Sequence, residues 1–334
     1  MIGLGYKNGL TNNMKYLTVN MYIPVEHQDQ FFQVLETEDY DTCIFFAATE
    51  WEYWFSVGDM IWSKIVEVIE RRGKILDVVT GAHKVLSGEP KSPNIRVHHW
   101  DTHFITHTTD RWKPIINYDN TYTYHYVYMN NKAHEWRCHL MDLVSKRDLL
   151  KYGAVSWHKK DTYSEYDWKY FKPIVLKLTD SFDSINITPN NIFAIPSEYN
   201  QSFAQLVSES NTNCIFMTEK TVIPLLVGKP FLVATAPGYH TFLQGLGFEL
   251  YTEIFDYSFD NEQDQEKRFE MILDNFTKLC SLPLKDLPEH YKKIEDKLKY
   301  NQQHAMLLKN NQPKIIQDLP NYAWDTPNWC IIDI

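Results

Sequence analysis

Residues 206–230 read LVSESNTNCIFMTEKTVIPLLVGKP. Cys214–Met217 is an apolar run of strand length, and Thr218-Glu219-Lys220 stands where that strand gives way to a helix over Glu219–Leu226. Thr218 is a good N-cap, Glu219 suits the first helical turn, Gly228-Lys229-Pro230 follows, and Pro230 opens a further strand to Thr235. A helix that starts at the carboxyl end of a parallel strand points free N–H groups and its positive end into the crevice beyond the sheet. A phosphate is favoured there, and Lys220 adds a full charge. A carboxylate at Glu219 does not bind phosphate, but it accepts both hydroxyls of a ribose. The same residues also read as an ordinary capped helix, so spacing alone leaves both readings open.

Outward from this stretch, short apolar runs alternate with helical ones, the pattern of α/β domains. Toward the N-terminus, Thr42–Ala48 reads as a buried strand and Asp59–Arg72 as a helix with Met60, Ile61, Ile65, Val68 and Ile69 on one face. Gly73 closes that helix, and Lys74–Gly81 and Ile95–Trp100 are the next two strands. The polar, aromatic-rich stretch Asp110–Tyr124 leads to a strand at Tyr124–Met129 and a helix from Ala133 to Ser145, which puts a domain boundary near 115–125. Beyond it the expected order is strand Ile192–Ile195, helix Ser202–Ser208 and the elements quoted above, then helices near 239–246, 263–280 and 289–309. The sequence therefore predicts an α/β fold of two Rossmann-like domains facing across a cleft, over 1–120 and 121–309. The Pro- and Trp-rich tail 310–334 is expected to pack back over them.

Composition sets outer limits. A chain of 334 residues suits two domains of about 150 each, and 44% apolar with 23% charged residues excludes a disordered chain. No apolar run reaches the roughly 18–20 residues that cross a bilayer, and the first residues lack a signal-peptide pattern. A cytoplasmic protein is the expectation. Lys and Arg number 33 against 43 Asp and Glu, and the net charge of −10 opposes non-specific nucleic-acid binding. The five cysteines stand singly, without the paired spacing of zinc knuckles. Aromatic residues, 15% of the chain, suit sugar or base stacking and equally an ordinary core.

Several residues fall into an ordered set. Glu209 precedes Glu219 by ten positions, Gly228 and Pro230 follow, and upstream Asn130 ends a strand with Arg137, Leu140, Leu143 and Gly153 after it. Over about residues 126–275 this resembles the donor-binding region of the α1,3-fucosyltransferase family. That family carries a Phe-Glu-Asn-Ser-type motif, then Thr-Glu-Lys, then an apolar helix ending in Gly. Gly247-Phe248 and the acidic segment Asp256–Asp260 are also similar to segments of phage and bacterial fucosyltransferase-like proteins. The resemblance implies a GT-B-like fold and a glycosyltransferase, inverting and metal-independent. Its donor would be a nucleotide diphosphate sugar, a GDP-sugar such as GDP-fucose being favoured, and its acceptor a hydroxyl on a glycan or other biomolecule. Arg137 and Lys220 would then neutralise the pyrophosphate, and Glu219 would hold the ribose. Glu209 would orient the sugar or a neighbouring side chain, while Asn130 and Thr218 complete the donor set. Ser210-Asn211 departs from the family's Asn-Ser, and the N-terminal half lacks its acceptor-side motif with a catalytic Glu.

An inverting transfer needs a base for the acceptor proton. Glu50, after strand 42–48, and Asp101, after strand 95–100, are the two candidates, each equally able to cap the helix or turn that begins beyond it. Glu52 and Asp59 lie further from a strand end, and His99 and His103 could assist. His99, His103 and His107 are four apart, as metal ligands on a helix would be, but Thr106, Thr108 and Thr109 argue against a helix. Asp39-Tyr40-Asp41 spells a metal-binding DxD yet precedes its strand, and Gly3-Leu-Gly5 lacks the rest of a dinucleotide fingerprint. No metal or cofactor is expected, the nucleotide sugar being a co-substrate. Two other functions stay open. One is a phage-type DNA glycosyltransferase acting on a hydroxymethylated base, with Lys64, Arg71, Arg72, Lys74, Lys84 and Arg96 as its basic groove. The other is a non-catalytic nucleotide- or glycan-binding module.

Overall fold

The computed structural model describes residues 14–20, 28–47, 60–85, 92–111, 121–130, 133–157, 166–172, 197–318 and 329–333. Two compact units divide the chain: one takes residues up to Asp101 and again from Gln312, the other Thr102–Asn311. Among the described residues no helix is long and apolar enough to cross a membrane.

The first unit alternates β1 (Lys15–Asn20), α1 (Gln28–Thr37), β2 (Thr42–Ala47), α2 (Met60–Arg71), β3 (Ile75–Thr80), β4 (Ala82–Val85) and β5 (Ile95–His99). β1, β2, β3 and β5 run parallel in that order, and the C-terminal strand Trp329–Asp333 adds to β1 antiparallel. Strand alternation sorts β2 into two faces: Cys43 and Phe45 point one way, Ile44 and Phe46 the other, and all four are buried. Ile44 and Phe46 join Val79, Trp100 and Ile316 in one apolar cluster, and Ile316 comes from the short helix Lys314–Gln317. In its described parts the tail thus gives the first unit an edge strand and a buried apolar side chain. Its five-residue strand was too short to show a period.

The second unit contains α3 (His103–Arg111), β6 (Tyr124–Tyr128), α4 (Glu135–Lys146), β7 (Gly153–Val155), α5 (Ser197–Asn200), β8 (Ser202–Ser208), β9 (Cys214–Phe216), α6 (Glu219–Val227), β10 (Phe231–Ala234), α7 (Tyr239–Gly245), α8 (Gln265–Cys280) and α9 (Leu287–Leu308). Its sheet order is β10-β8-β6-β7, all parallel. α4 crosses from β6 to β7 on one side, and α6 leads from the β8 side to β10 on the other. Right-handed crossovers of opposite sense place such helices on opposite faces. In keeping with this, α4 packs on α8, whereas α6 packs on α3 and α9.

Two expected elements come out differently. Ser202–Ser208 is a strand rather than a helix: all seven residues are buried, as in a central parallel strand covered on both faces. His103–Arg111 is a helix despite its threonines, because Thr109 Oγ1 returns to the Ile105 carbonyl (2.8 Å) and Ile105 is fully buried. Packing outweighs the weak propensity of those residues. That helix belongs to the second unit, so the units part at Asp101 rather than near 120. The expected strand Ile192–Ile195 lies outside the described residues. Gly153 sits against the Tyr126 ring, where a Cβ would come within 2.4 Å, so it serves close packing of β7 on β6.

Candidate functional site

The sheet of the second unit reverses its direction of winding between β6 and β8, and open α/β sheets bind ligands beyond the carboxyl ends of the strands at such a point. Asn130 follows β6 there and Glu209 follows β8. Ser208 Oγ donates to Asn130 Oδ1 (2.9 Å), and the Asn130 backbone N–H donates to Ser156 Oγ (2.9 Å), which ties the two strand ends together. Arg137, in the first turn of α4, is only 3% exposed; its Nη2 donates to the carbonyls of Ser208 (3.3 Å) and Glu209 (3.0 Å). Burial pulls the guanidinium pKa down, while Glu209 and Glu219 work to hold its charge.

Glu209 is fully buried, and its carboxylate accepts five hydrogen bonds: from Thr218 N–H (3.0 Å), Thr218 Oγ1 (2.6 Å), Ser210 N–H (3.1 Å), Thr221 Oγ1 (2.6 Å) and Tyr239 Oη (3.3 Å). Of the two roles open to Glu209, these bonds match the orienting of neighbouring side chains. It fixes the start of α6 against the end of β8, and with its lone pairs so occupied it offers little to a sugar. Ser208, Thr221 and Tyr239 were not anticipated from the sequence. Tyr239 lies 30 positions from Glu209, and no local pattern reports a contact of that span.

Thr218 caps α6 by accepting from the Lys220 N–H (3.2 Å), and Gly228 closes the helix at φ 65°, a left-handed conformation that suits glycine. Lys220 Nζ donates to Glu219 Oε1 (2.6 Å), with longer contacts to Ser210 Oγ (3.3 Å) and Thr218 Oγ1 (3.4 Å). Burial alone would raise the Glu219 carboxyl, but the adjoining ammonium and the Arg137 charge hold it below the usual carboxylate range. Asn130, Arg137, Glu209, Thr218, Glu219 and Lys220 thus converge on one sheet edge. Such an edge can bind a polyanion through Lys220, the α6 N–H groups and the Arg137 charge, and hydroxyls through Glu219. The acidic segment packs nearby: Asp260 accepts from the N–H groups of His240 (2.8 Å) and Thr241 (2.9 Å) and so caps α7.

The corresponding edge of the first unit lies beyond β3 and β5. Asp101 follows β5, and its Oδ2 lies 3.0 Å from Nδ1 of His83 on β4, a partner the sequence did not suggest. The Asp101 side chain is 21% exposed and that of His83 46%. Asp101 Oδ1 is buried with no hydrogen-bond partner among the described residues. His99 Nδ1 lies 2.7 Å from the Ala82 carbonyl and so anchors the start of β4. Glu50, Glu52, Asp59, Gly3 and Gly5 lie outside the described residues. His99 ends a strand and His103 begins α3, so the two do not share a helical face; the His107 side chain is not described. Asp39 and Asp41 are both drawn to Lys15, at 2.7 Å from Nζ and 2.9 Å from the backbone N–H, at the amino end of β2. Among the described residues no three or more His, Cys, Asp or Glu are grouped to hold a metal ion.

No family model and no curated protein matches this chain. Among solved structures it is similar to the spinosyn rhamnosyltransferase SpnG, at 7% identity and a TM-score of 0.35 over 86% of this chain and 77% of that one. It is also similar to AviGT4, a glycosyltransferase involved in avilamycin A biosynthesis, at 10% identity and a TM-score of 0.31 over 86% and 80% of the two chains. The assignment to the α/β class rests on the two sheets themselves, one all parallel and the other parallel but for its C-terminal edge strand.

Proposed function

We propose that the chain is an inverting glycosyltransferase of GT-B type that takes a sugar from a nucleotide diphosphate donor and delivers it to a hydroxyl acceptor. The observation that carries this reading is the convergence of Arg137, Glu219 and Lys220 on the α6 N-terminus at the winding reversal of the second sheet. Lys220, the α6 N–H groups and the Arg137 charge meet the pyrophosphate and stabilise the negative charge that grows on it as the glycosidic bond breaks. Glu219 accepts from the ribose. These cationic groups do the work that a divalent ion does in other sugar transferases. The acceptor oxygen attacks the anomeric carbon from the face opposite the leaving phosphate, and a base takes its proton. Asp101, backed by His83, and Glu50 are the bases this reading offers. The family resemblance favours a GDP-sugar such as GDP-fucose.

A DNA acceptor is less well supported. Arg71 pairs with Glu36, Arg72 donates to the carbonyls of Leu35 (2.5 Å) and Glu38 (2.8 Å), and Arg96 is bidentate on Asp77. Three of the six side chains of the expected basic groove are thus engaged within the fold.

Thermal unfolding with GDP, UDP, CMP, dTDP and ADP, each with and without EDTA, tests the donor site, because a ligand of the native state raises its stability by mass action. One diphosphate should raise the Tm, the shift should survive EDTA, and Lys220→Ala should abolish it. In a transfer assay Lys220→Ala and Arg137→Ala should each lose about 10–150-fold in turnover, the equivalent of a charge-assisted contact of about 1.5–3 kcal/mol. No shift with any nucleotide, or unchanged turnover in both variants, refutes the assignment.

A further inference from the structure

We propose that Glu219 makes this site select a nucleoside diphosphate over bare pyrophosphate or orthophosphate, by keeping Lys220 until ribose hydroxyls take its place. The inference rests on the nucleotide reading above and adds to it a reason for discrimination.

Among the described residues four charged side chains meet at this edge, Arg137 and Lys220 with Glu209 and Glu219. The two carboxylates are compensated in different ways. Glu209 is satisfied by its five neutral donors and needs no cation. Glu219 is not. Among the described residues Lys220 is the one side chain that hydrogen-bonds it, at 2.6 Å, and the Glu219 side chain is only 12% exposed. Lys220 is the more exposed partner of this pair, at 30%, and sits one residue further along α6.

An anion entering the crevice must draw Lys220 toward itself. If the anion brings phosphate oxygens alone, the exchange leaves a nearly buried carboxylate without its donor and adds a second negative group beside it. Breaking a buried pair by removing one partner is its unfavourable direction, and two like charges side by side add to the cost. A nucleoside diphosphate brings the remedy with it. Its vicinal ribose hydroxyls donate to Glu219 as Lys220 leaves, so the carboxylate exchanges one set of hydrogen bonds for another. Phosphate recognition and ribose recognition are then coupled through a single ion-pair exchange. Glu219 is then a specificity-determining residue, because small anions bring no hydroxyl to replace Lys220.

Isothermal titration of the full chain with GDP, 2′,3′-dideoxyguanosine diphosphate and pyrophosphate reads this directly. In the wild type, GDP should bind at least about tenfold more tightly than either of the others, the scale of one or two hydrogen bonds. In Glu219→Gln the order should change: pyrophosphate should gain at least about tenfold, since Lys220 no longer has a carboxylate to leave, while GDP weakens. Adding Lys220→Ala to that variant should remove the gain. The selectivity inference is overturned if the dideoxy compound binds as tightly as GDP, if Glu219→Gln binds pyrophosphate no better, or if the gain persists without Lys220. Those failures leave GDP binding intact, whereas a wild type that binds neither GDP nor the other diphosphates overturns the nucleotide reading and this inference with it. If Glu219→Gln does not fold, judged by its melting transition, the three wild-type affinities decide alone.

Discussion

The carboxyl edges of β6 and β8 end in a polar network, in which the Ser208 hydroxyl joins the two strand ends and the fully buried Glu209 holds the start of α6 and Tyr239. At the carboxyl edges of β3 and β5, Asp101 meets His83, whose side chain is almost half exposed. The two edges are topologically alike, yet one is built to hold a geometry and the other to leave a titratable group within reach of solvent. A dense network fixes donors and charges before a ligand arrives, which suits binding of a polyanion. A partly exposed pair contributes little to stability and stays accessible, which suits a base. The residues proposed to bind a donor and those proposed to act on an acceptor are therefore expected to respond differently to mutation.

The largest stability effect should come from Glu209→Ala. It leaves the Ser210 and Thr218 N–H groups and the Thr218 and Thr221 hydroxyls without their acceptor, and removal of one member of a buried charged network costs about 3–5 kcal/mol. Urea unfolding measures it, and a loss under about 1 kcal/mol would put the two edges on an equal footing. A smaller effect should appear in acid. Burial would raise the Asp260 carboxyl, but the His240 ring and the N–H groups of His240 and Thr241 hold it at about 2, below its ordinary 3.8. A pKa depressed in the folded state contributes stability that is fully present above about 3.8 and is lost as pH falls toward about 2, on the order of 2 kcal/mol in all. Asp260→Asn should flatten that part of the pH–stability curve, and an unchanged curve would remove Asp260 from the rigid region. The smallest stability effect belongs to the other edge. Asp101→Asn should change unfolding free energy by less than about 1 kcal/mol, as for a partly exposed pair, yet lower turnover by about 100-fold or more if Asp101 and His83 carry the base function. Full turnover in Asp101→Asn would move that role to Glu50.

Much of this architecture was legible because it is written locally. Thr218 as a cap, Glu219 in the first turn and Gly228 as a terminator are decided within a few residues of one another, and α6 runs over Glu219–Val227 as that pattern requires. The strands at 42–47, 75–80 and 124–128 announced themselves as apolar runs of strand length. Ser202–Ser208 did not, because a strand buried on both faces loses the alternation that distinguishes it from a buried helix. Nor did His103–Arg111, where threonine hydroxyls bonded back to the preceding turn and a buried Ile105 outweigh poor propensity.

The sequence by itself determined the alternation of strands and helices, and the order in which Asn130, Arg137, Glu209 and the Thr-Glu-Lys triplet follow them, since periodicity and capping act over a few residues. Only the tertiary structure decided that Glu209 is held by Thr218, Thr221 and Tyr239, that Asp101 meets His83, and that Trp329–Asp333 completes the first sheet beside β1. Those pairings depend on which strand ends the folded sheets bring together, and nothing in the local spacing of residues encodes that.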